Sequence, residues 1–244
     1  MFCEGDSGFR EHRRQSGKLA IAAFFCVLSY GLAPLADAQA PKWDISVFRS
    51  INDSRSSFLD GAVGANDYTV LPVAIGTPVL FGGIGLLQHD GYTFDTGVMV
   101  GLSEASAYVV YYVLKNVIVK RNRPYVSLDG VHTMHLDSAD KYSMPSGHTT
   151  AAFAIATSLT LRYPKPYVYI PAFAWAVFVG YGRVYMGLHY PSDVLAGAAL
   201  GAASAIAIHL LDTQITSLRK KIIGDDMGIH LSASPSLLDL RVDF

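Results

Sequence analysis

The chain has 244 residues, enough for one domain; 51% are hydrophobic and only 16% charged, a balance that points to a membrane protein or an unusually apolar globule. A formal net charge of -1, with no Lys/Arg-rich run interleaved with aromatics, argues against a nucleic-acid partner. Cys3 and Cys26 both lie near the N-terminus, so the remainder of the chain has no disulfide, thiol nucleophile or cysteine metal site.

Residues 1–40 carry Arg10, Arg13, Arg14 and Lys18, then an apolar run from Leu19 to Ala36 and small residues at Ala38 and Ala40. This reads as a secretory signal peptide, or, uncleaved, as a first membrane span close to the minimum length. Either way Trp43 emerges on the far side of the membrane. Pro41 to Asn66 reads as a connecting segment whose amphipathic stretch, Ile45 to Leu59, lies along the membrane surface.

Apolar segments recur at Tyr68–Leu87, Gly97–Val119, Thr149–Leu161, Tyr167–Tyr185 and Val194–Leu211, most of them near the roughly 20 residues that cross a bilayer. Breakers fall between them, at Asp90-Gly91, Asn122 to Ser143, Pro164 with Pro166, and Pro191. The expectation is an all-α, membrane-embedded bundle of about six helices, five if the leader is removed, with a helical domain over 41–215 and a tail over 216–244. Gly197 and Gly201 give the last helix a small face suited to close helix packing. Residues 222–244 alternate weakly, as a short hairpin would, and receive no function.

Lys and Arg favour the cytoplasmic ends of spans. Arg10–Lys18, Arg162 with Lys165, and Arg219-Lys220-Lys221 can all share that side. Lys120, Arg121, Arg123 and Arg183 then fall on the other side with His148 and His189. Phosphate binding is a reason for cations to sit there.

Three motifs carry the chemistry. In Pro145-Ser146-Gly147-His148, Pro145 breaks the coil, Ser146 caps the helix, and the unpaired first-turn N–H groups make an anion site that Gly147 lets a ligand approach. His148 stands beside it as a proton donor. By itself the tetrapeptide is equally a capped helix with a surface histidine.

In the second motif Arg183 offers a planar donor fork, and His189 precedes Asp193 by four positions, a spacing that lets the carboxylate orient one ring nitrogen and free the other for attack. Asp193 alone reads as dipole compensation at a helix start. The third motif, Lys115 to Arg123-Pro124, supplies a phosphate clamp in Arg123 and a point charge in Lys115. Lys120 and Arg121 there read as helix-end or headgroup cations.

These motifs, taken in chain order, resemble the signature of the type 2 phosphatidate phosphatase superfamily, which includes bacterial class A acid phosphatases and vanadium haloperoxidases; the likeness spans roughly Ile45 to Leu211. It implies an all-helical core and metal-independent hydrolysis without a cofactor. It implies a phosphohistidine at His189, His148 as general acid and then base, and Asp193 orienting His189. Arg123, Arg183, Ser146, Gly147 and Lys115 would bind the phosphate.

The sequence departs from that pattern twice. Seven residues separate Lys115 from Arg123, one more than in the family, and one residue turns a helical side chain by about 100°. A π-bulge between them would absorb the extra residue and return Lys115 to the site. Gly182 also stands where the family has a serine, a missing donor worth on the order of 1 kcal/mol.

The leading expectation is a membrane phosphatase that hydrolyses a lipid phosphate or diphosphate at the periplasmic face of a bacterial inner membrane. A soluble periplasmic acid phosphatase, a vanadate-dependent haloperoxidase and a non-catalytic phospholipid-binding protein are the alternatives. His132 and His135, in the loop from Tyr125 to Tyr142, have the spacing of a metal pair but read as an ordinary polar loop. Headgroup, chain and oligomeric state are not written in these residues.

Overall fold

The computed structural model describes residues 40–135 and 140–224 in full, and the backbone of 228–234 and 237–243. Residues 1–39 of the leader expected over 1–40, and Asp137 of the polar loop, lie outside the described residues.

Helix α1 covers Lys42–Asn52. Its apolar face seats Phe48 against Tyr190, ring centroids 5.7 Å apart, and buries Asp44 completely. Helix α2 runs from Ser57 to Gln88, eleven residues earlier than the apolar run begins. The Ser56 hydroxyl caps it by accepting from the Leu59 N–H at 3.2 Å. Its first turns are too polar to read as a span, yet they fold as helix because Val63 and Leu59 pack on Tyr185, Met186 and Leu188. The surface stretch expected over Ile45 to Leu59 is therefore two elements, broken at Asp53–Ser56.

Helix α3 covers Gly91–Val113 and passes directly into a π-helical segment, Leu114–Val119, which ends at Lys120 with φ 47°. A short turn of helix, α4, spans Pro124–Ser127. Helices α5 (Gly147–Arg162), α6 (Pro166–Tyr185) and α7 (Pro191–Leu210) complete the bundle. Helix α8, Asp212–Ile223, continues the helical body past 215, since the Arg219 guanidinium holds Asp95 of α3 through Nε at 3.0 Å and Nη2 at 3.1 Å. Strands β1 (Gly228–Ser234) and β2 (Leu237–Asp243) form the antiparallel hairpin expected of the tail, pairing Gly228 with Asp243 and Ser234 with Leu237.

Glycines set the closest helix contacts. A Cβ on Gly97 would stand 2.5 Å from the Gly82 nitrogen of α2, and one on Gly201 would stand 2.2 Å from the Thr150 carbonyl oxygen of α5. Gly197 likewise lies against the Ser146 oxygen, at 2.6 Å. The small face of α7 thus works as packing, drawing the start of α7 onto the start of α5.

The outer surface is apolar, with Val79, Leu80, Val117 and Leu195 each more than 60% exposed. Three helical stretches, Ser57–Gln88, Gly91–Ser127 and Pro191–Leu210, are long and apolar enough to cross a membrane. The polar groups concentrate at the two ends of the bundle. One end holds Tyr92, Arg162, Asp212 and Arg219, with the Arg162 Nη1 3.0 Å from Asp212. The opposite end buries Lys115, Arg121, Arg123, Arg183, His189 and Asp193.

Candidate active site

That second end is built from the last turns of α3 and α6, the first turns of α2, α5 and α7, and the loop before α7. The α6–α7 connection must reverse tightly, and Gly187 allows it with φ 74°; a Cβ there would lie 2.4 Å from the His132 carbonyl oxygen. The turn tucks His189 inside, 1% exposed, with its N–H on the Arg183 carbonyl at 3.2 Å.

Around His189 the geometry sets the tautomer. Arg123 donates one Nη1 bond to the Leu188 carbonyl at 2.8 Å and lies 3.2 Å from His189 Nε2. A guanidinium has only donors, so Nε2 meets it with a lone pair and the ring proton sits on Nδ1. Nδ1 faces Asp193 Oδ2 at 3.7 Å and forms no hydrogen bond. The predicted orienting pair is thus adjacent but open by about 0.5 Å beyond bonding distance, as is common before substrate tightens a site. Asp193 Oδ2 instead accepts from the Tyr190 N–H at 2.8 Å, closing the first turn of α7.

Lys115 reaches this centre because of the π-helical segment. It is 1% exposed, and its ammonium donates to the Tyr111 hydroxyl at 3.1 Å and pairs with Asp140 at 2.9 Å. Arg123 also holds Asp140, through Nη2 and through Nε to the backbone carbonyl at 2.7 Å. The extra residue between Lys115 and Arg123 is taken up in the widened turn, and both cations converge on one carboxylate.

The opposite wall is organised by Asp67 of α2. Arg183 Nη1 donates to it at 2.6 Å, His135 Nδ1 lies 3.1 Å away, and His148 Nε2 lies 3.8 Å away. Arg183 Nε is buried without a partner, a donor left for a ligand. His135 is committed to Asp67 and to ring contact with Tyr68, and among the described residues no three His, Cys, Asp or Glu gather as a metal site.

Ser146 occupies the N-cap position of α5 but makes no side-chain cap. Its hydroxyl accepts from Thr149 Oγ1 at 2.9 Å, which leaves its own proton to give. Its N–H donates to the Asp193 carbonyl at 3.0 Å, tying the start of α5 to the start of α7. Gly147 lies against Tyr111, where a Cβ would come within 3.0 Å of the ring.

The sequence reading missed several partners. Arg121, read as a headgroup cation, is 2% exposed and points inward. It donates to Asp193 at 2.9 Å, Ser192 at 2.6 Å and Asp44 at 2.7 Å, over the face of Tyr190 at 4.4 Å. Tyr111, which accepts from Lys115, and Tyr190, under Arg121, belong to the site as well. Asp44, Asp67 and Asp140 carry no local motif; an acidic residue at the edge of an apolar run was the one available signal.

Burial comes first among the causes that hold the His189 imidazole well below its ordinary 6.5, followed by the cations Arg123, Lys115 and Arg183. Burial alone would raise the Asp140 carboxyl, but Lys115, Tyr111 and Arg123 outweigh it and keep the group below the usual carboxylate range. His189 is therefore a neutral base at neutral pH, and Asp140 an anion seated where an anionic ligand would sit.

Residues 96–216 match the family model described as the PAP2 superfamily. A decaprenylphosphoryl-5-phosphoribose phosphatase of Mycobacterium tuberculosis is 32% identical over 169 residues, 67% of this chain and 88% of that protein. The chain belongs to the PAP2 superfamily. An undecaprenyl-diphosphatase of Sulfolobus acidocaldarius is 29% identical over 198 residues, 79% of this chain and 88% of the relative. The crystal structure of a transmembrane PAP2 type phosphatidylglycerolphosphate phosphatase from Bacillus subtilis superposes with a TM-score of 0.55 at 25% identity, over 84% of this chain and 96% of that one. The family the three motifs resembled is thus the family found, and this PAP2 chain is a membrane protein and a phosphoric monoester or diphosphate hydrolase.

A groove of about 280 Å³ leads from this site into the bundle wall. It starts at Gly147 and His148, passes Tyr111, and opens between α2 and α3.

Proposed function

We propose that the chain hydrolyses a lipid phosphate or diphosphate through a phosphohistidine on His189, at the periplasmic face of a bacterial inner membrane. The observation that supports this most is His189 itself. It is a neutral imidazole with its Nε2 lone pair against Arg123 and its Nδ1–H toward Asp193, among three buried cations, Lys115, Arg123 and Arg183.

In the first step His189 Nε2 attacks phosphorus and the P–O bond to the lipid breaks. His148 gives its proton to the departing oxygen, which is an alkoxide for a monoester and a lipid monophosphate for a diphosphate. Burial and the Arg183 charge hold the His148 imidazole down at about 4 against the raising influence of Asp67 3.8 Å away, so the negative charge of the entering phosphate is what returns a proton to it before transfer. In the second step His148 takes a proton from water, the water oxygen attacks phosphorus, and inorganic phosphate leaves with His189 restored. Arg123, Arg183, Lys115, the Ser146 hydroxyl and the first-turn N–H groups of α5 hold the three peripheral oxygens as their charge grows.

The periplasmic placement rests on charge: Arg162, Lys165, Arg219, Lys220 and Lys221 lie at the end away from the site, where cytoplasmic positive charge belongs. The groove beside His148 lets tails stay in the membrane while the phosphate enters the ring.

The test is phosphate release from detergent-dispersed phosphatidate, phosphatidylglycerophosphate and isoprenyl diphosphate by wild type, His189→Ala and His148→Ala. Both variants are expected to lose release while remaining monodisperse, and acid-free quenching of the wild type during turnover should trap phosphate on His189. Undiminished turnover in either variant rules out its assigned role.

A further inference from the structure

Glu104 is an ionisable side chain in the middle of a membrane-crossing helix. It lies in α3, inside the stretch Gly91–Ser127, and no hydrogen bond or ion pair reaches it among the described residues. A carboxyl group at such a depth is costly unless something answers it, and residues of this kind face cavities rather than lipid. Glu104 does so, because it forms part of the wall of the groove that begins at His148. The groove opens to the membrane past Leu71 and Tyr108, which are 68% and 62% exposed.

Depth along α3 says what would meet it. Lys115 folds back onto the Tyr111 hydroxyl, so its ammonium, and the phosphate it holds, stand level with Tyr111. Glu104 is seven residues earlier on the same helix, about 10 Å deeper at 1.5 Å per residue. From phosphorus through an ester-linked backbone to the third carbon of an acyl chain is about eight bonds, and an extended chain advances about 1.2 Å per bond, again close to 10 Å. An unsubstituted acyl or prenyl chain presents only C–H at that depth and leaves the carboxyl unanswered. A chain hydroxyl there supplies the missing donor.

Resting on the phosphatase reading above, we propose that Glu104 determines specificity by accepting a hydrogen bond from a hydroxyl on the substrate's acyl chain, so that the groove selects hydroxyacyl lipid phosphates over plain-chain ones. The group touches the tail and takes no part in the chemistry.

The experiment compares dimyristoyl phosphatidate with its di-(3-hydroxymyristoyl) counterpart in mixed micelles, using the whole protein in detergent. A hydrogen bond to a carboxyl is expected to favour the hydroxylated lipid about tenfold or more in kcat/KM, chiefly through KM. Glu104→Leu should bring that ratio close to one, and Glu104→Gln, which keeps an acceptor oxygen, should retain part of it. Because each ratio is taken on one preparation, loss of folded protein cancels. A wild-type ratio within about twofold of unity, or a ratio that survives Glu104→Leu, overturns the proposal while leaving the phosphatase reading standing. Failure of the wild type to hydrolyse either lipid, with release from a water-soluble phosphomonoester intact, overturns both.

Discussion

Deleting Val117 tests whether the π-helical segment exists to aim Lys115. Val117 is 63% exposed, within Leu114–Val119, and its removal restores the spacing of the wider family between Lys115 and Arg123. If the widened turn absorbs one residue, deletion converts it to regular α-helix and leaves Tyr111, Lys115 and Arg123 where they are. If it does not, Lys115 turns by about 100° relative to Arg123, and an ammonium at the end of an extended side chain moves by about 10 Å. Losing a charge-assisted contact to phosphate costs about 1.5–3 kcal/mol, or about 10- to 150-fold in kcat/KM. Phosphate release from a micellar lipid phosphate should therefore fall by no more than about threefold for the Val117 deletion, against the full 10- to 150-fold for Lys115→Met. Deletion of Val109, in the regular part of α3, should be as damaging as Lys115→Met. Equal losses for the Val117 deletion and Lys115→Met would refute the reasoning.

The depressed His189 has a stability consequence with a definite sign. Its folded form binds fewer protons than the unfolded chain, so its contribution is complete above about pH 6.5 and declines as pH falls below that, by up to about 1.4 kcal/mol per pH unit. The melting temperature in detergent should drop between pH 6.5 and 4.5, and His189→Gln should flatten part of that limb, the rest coming from His148, whose imidazole burial holds down at about 4; Asp140, also depressed, acts only below about pH 4. Arg121→Met should destabilise by about 3–5 kcal/mol, because it strands the fully buried Asp44 and Asp193, and adding Asp44→Asn should recover part of that; a denaturation midpoint equal to wild type would restore the headgroup role for Arg121. Gly182→Ser should raise turnover, by up to about tenfold, only together with Val63→Ala, since the new Cβ would stand 3.1 Å from the Val63 side chain. Asp140→Asn should tighten product inhibition by inorganic phosphate, because a neutral side chain competes less well for Lys115 and Arg123; an unchanged inhibition constant would show that Asp140 does not occupy the phosphate position.

What was legible in the sequence came from local pattern. His148, Arg183 and His189 stand beside helix starts and ends whose breakers, Pro145 and Pro191, are visible in one dimension, so their convergence could be expected from antiparallel packing. The extra residue after Lys115 was legible too, as a conflict of spacing that a π-turn resolves. Asp44, Asp67 and Asp140 were not, since each reaches the site from a separate element and its partner is fixed only by tertiary packing. Arg121 was misread for a related reason: adjacent to Lys120 and near Arg123, it looks like part of a basic run. Lys120, in left-handed conformation at the end of the π-segment, turns the chain so that its neighbour points inward. The early start of α2 was hidden because polar residues near Asp67 belong to a helix that is buried by its neighbours rather than by its own hydrophobicity.

The charges of the site divide into two groups with different freedoms. Arg121 is enclosed with Asp44 and Asp193, both at 0% exposure, and its two Nη groups pair with these carboxylates without reference to any ligand, leaving only its buried Nε without a partner. That group is a brace: it fixes the first turn of α7, and with it the position of Asp193 beside His189. Lys115, Arg123 and Arg183 are also buried, but their carboxylate partners come from outside the motifs, and the side chain of Asp140 is 46% exposed. A phosphate entering from the groove or from water therefore exchanges one anion for another on Lys115 and Arg123, while Arg183 adds its free Nε. Because the cations are never left unpaired, the site can remain buried and folded between turnovers. The same exchange makes affinity depend on how much better three phosphate oxygens fit the ring than one carboxylate does. That difference is largest when phosphorus becomes five-coordinate beside His189, so the arrangement favours the transition state over bound phosphate.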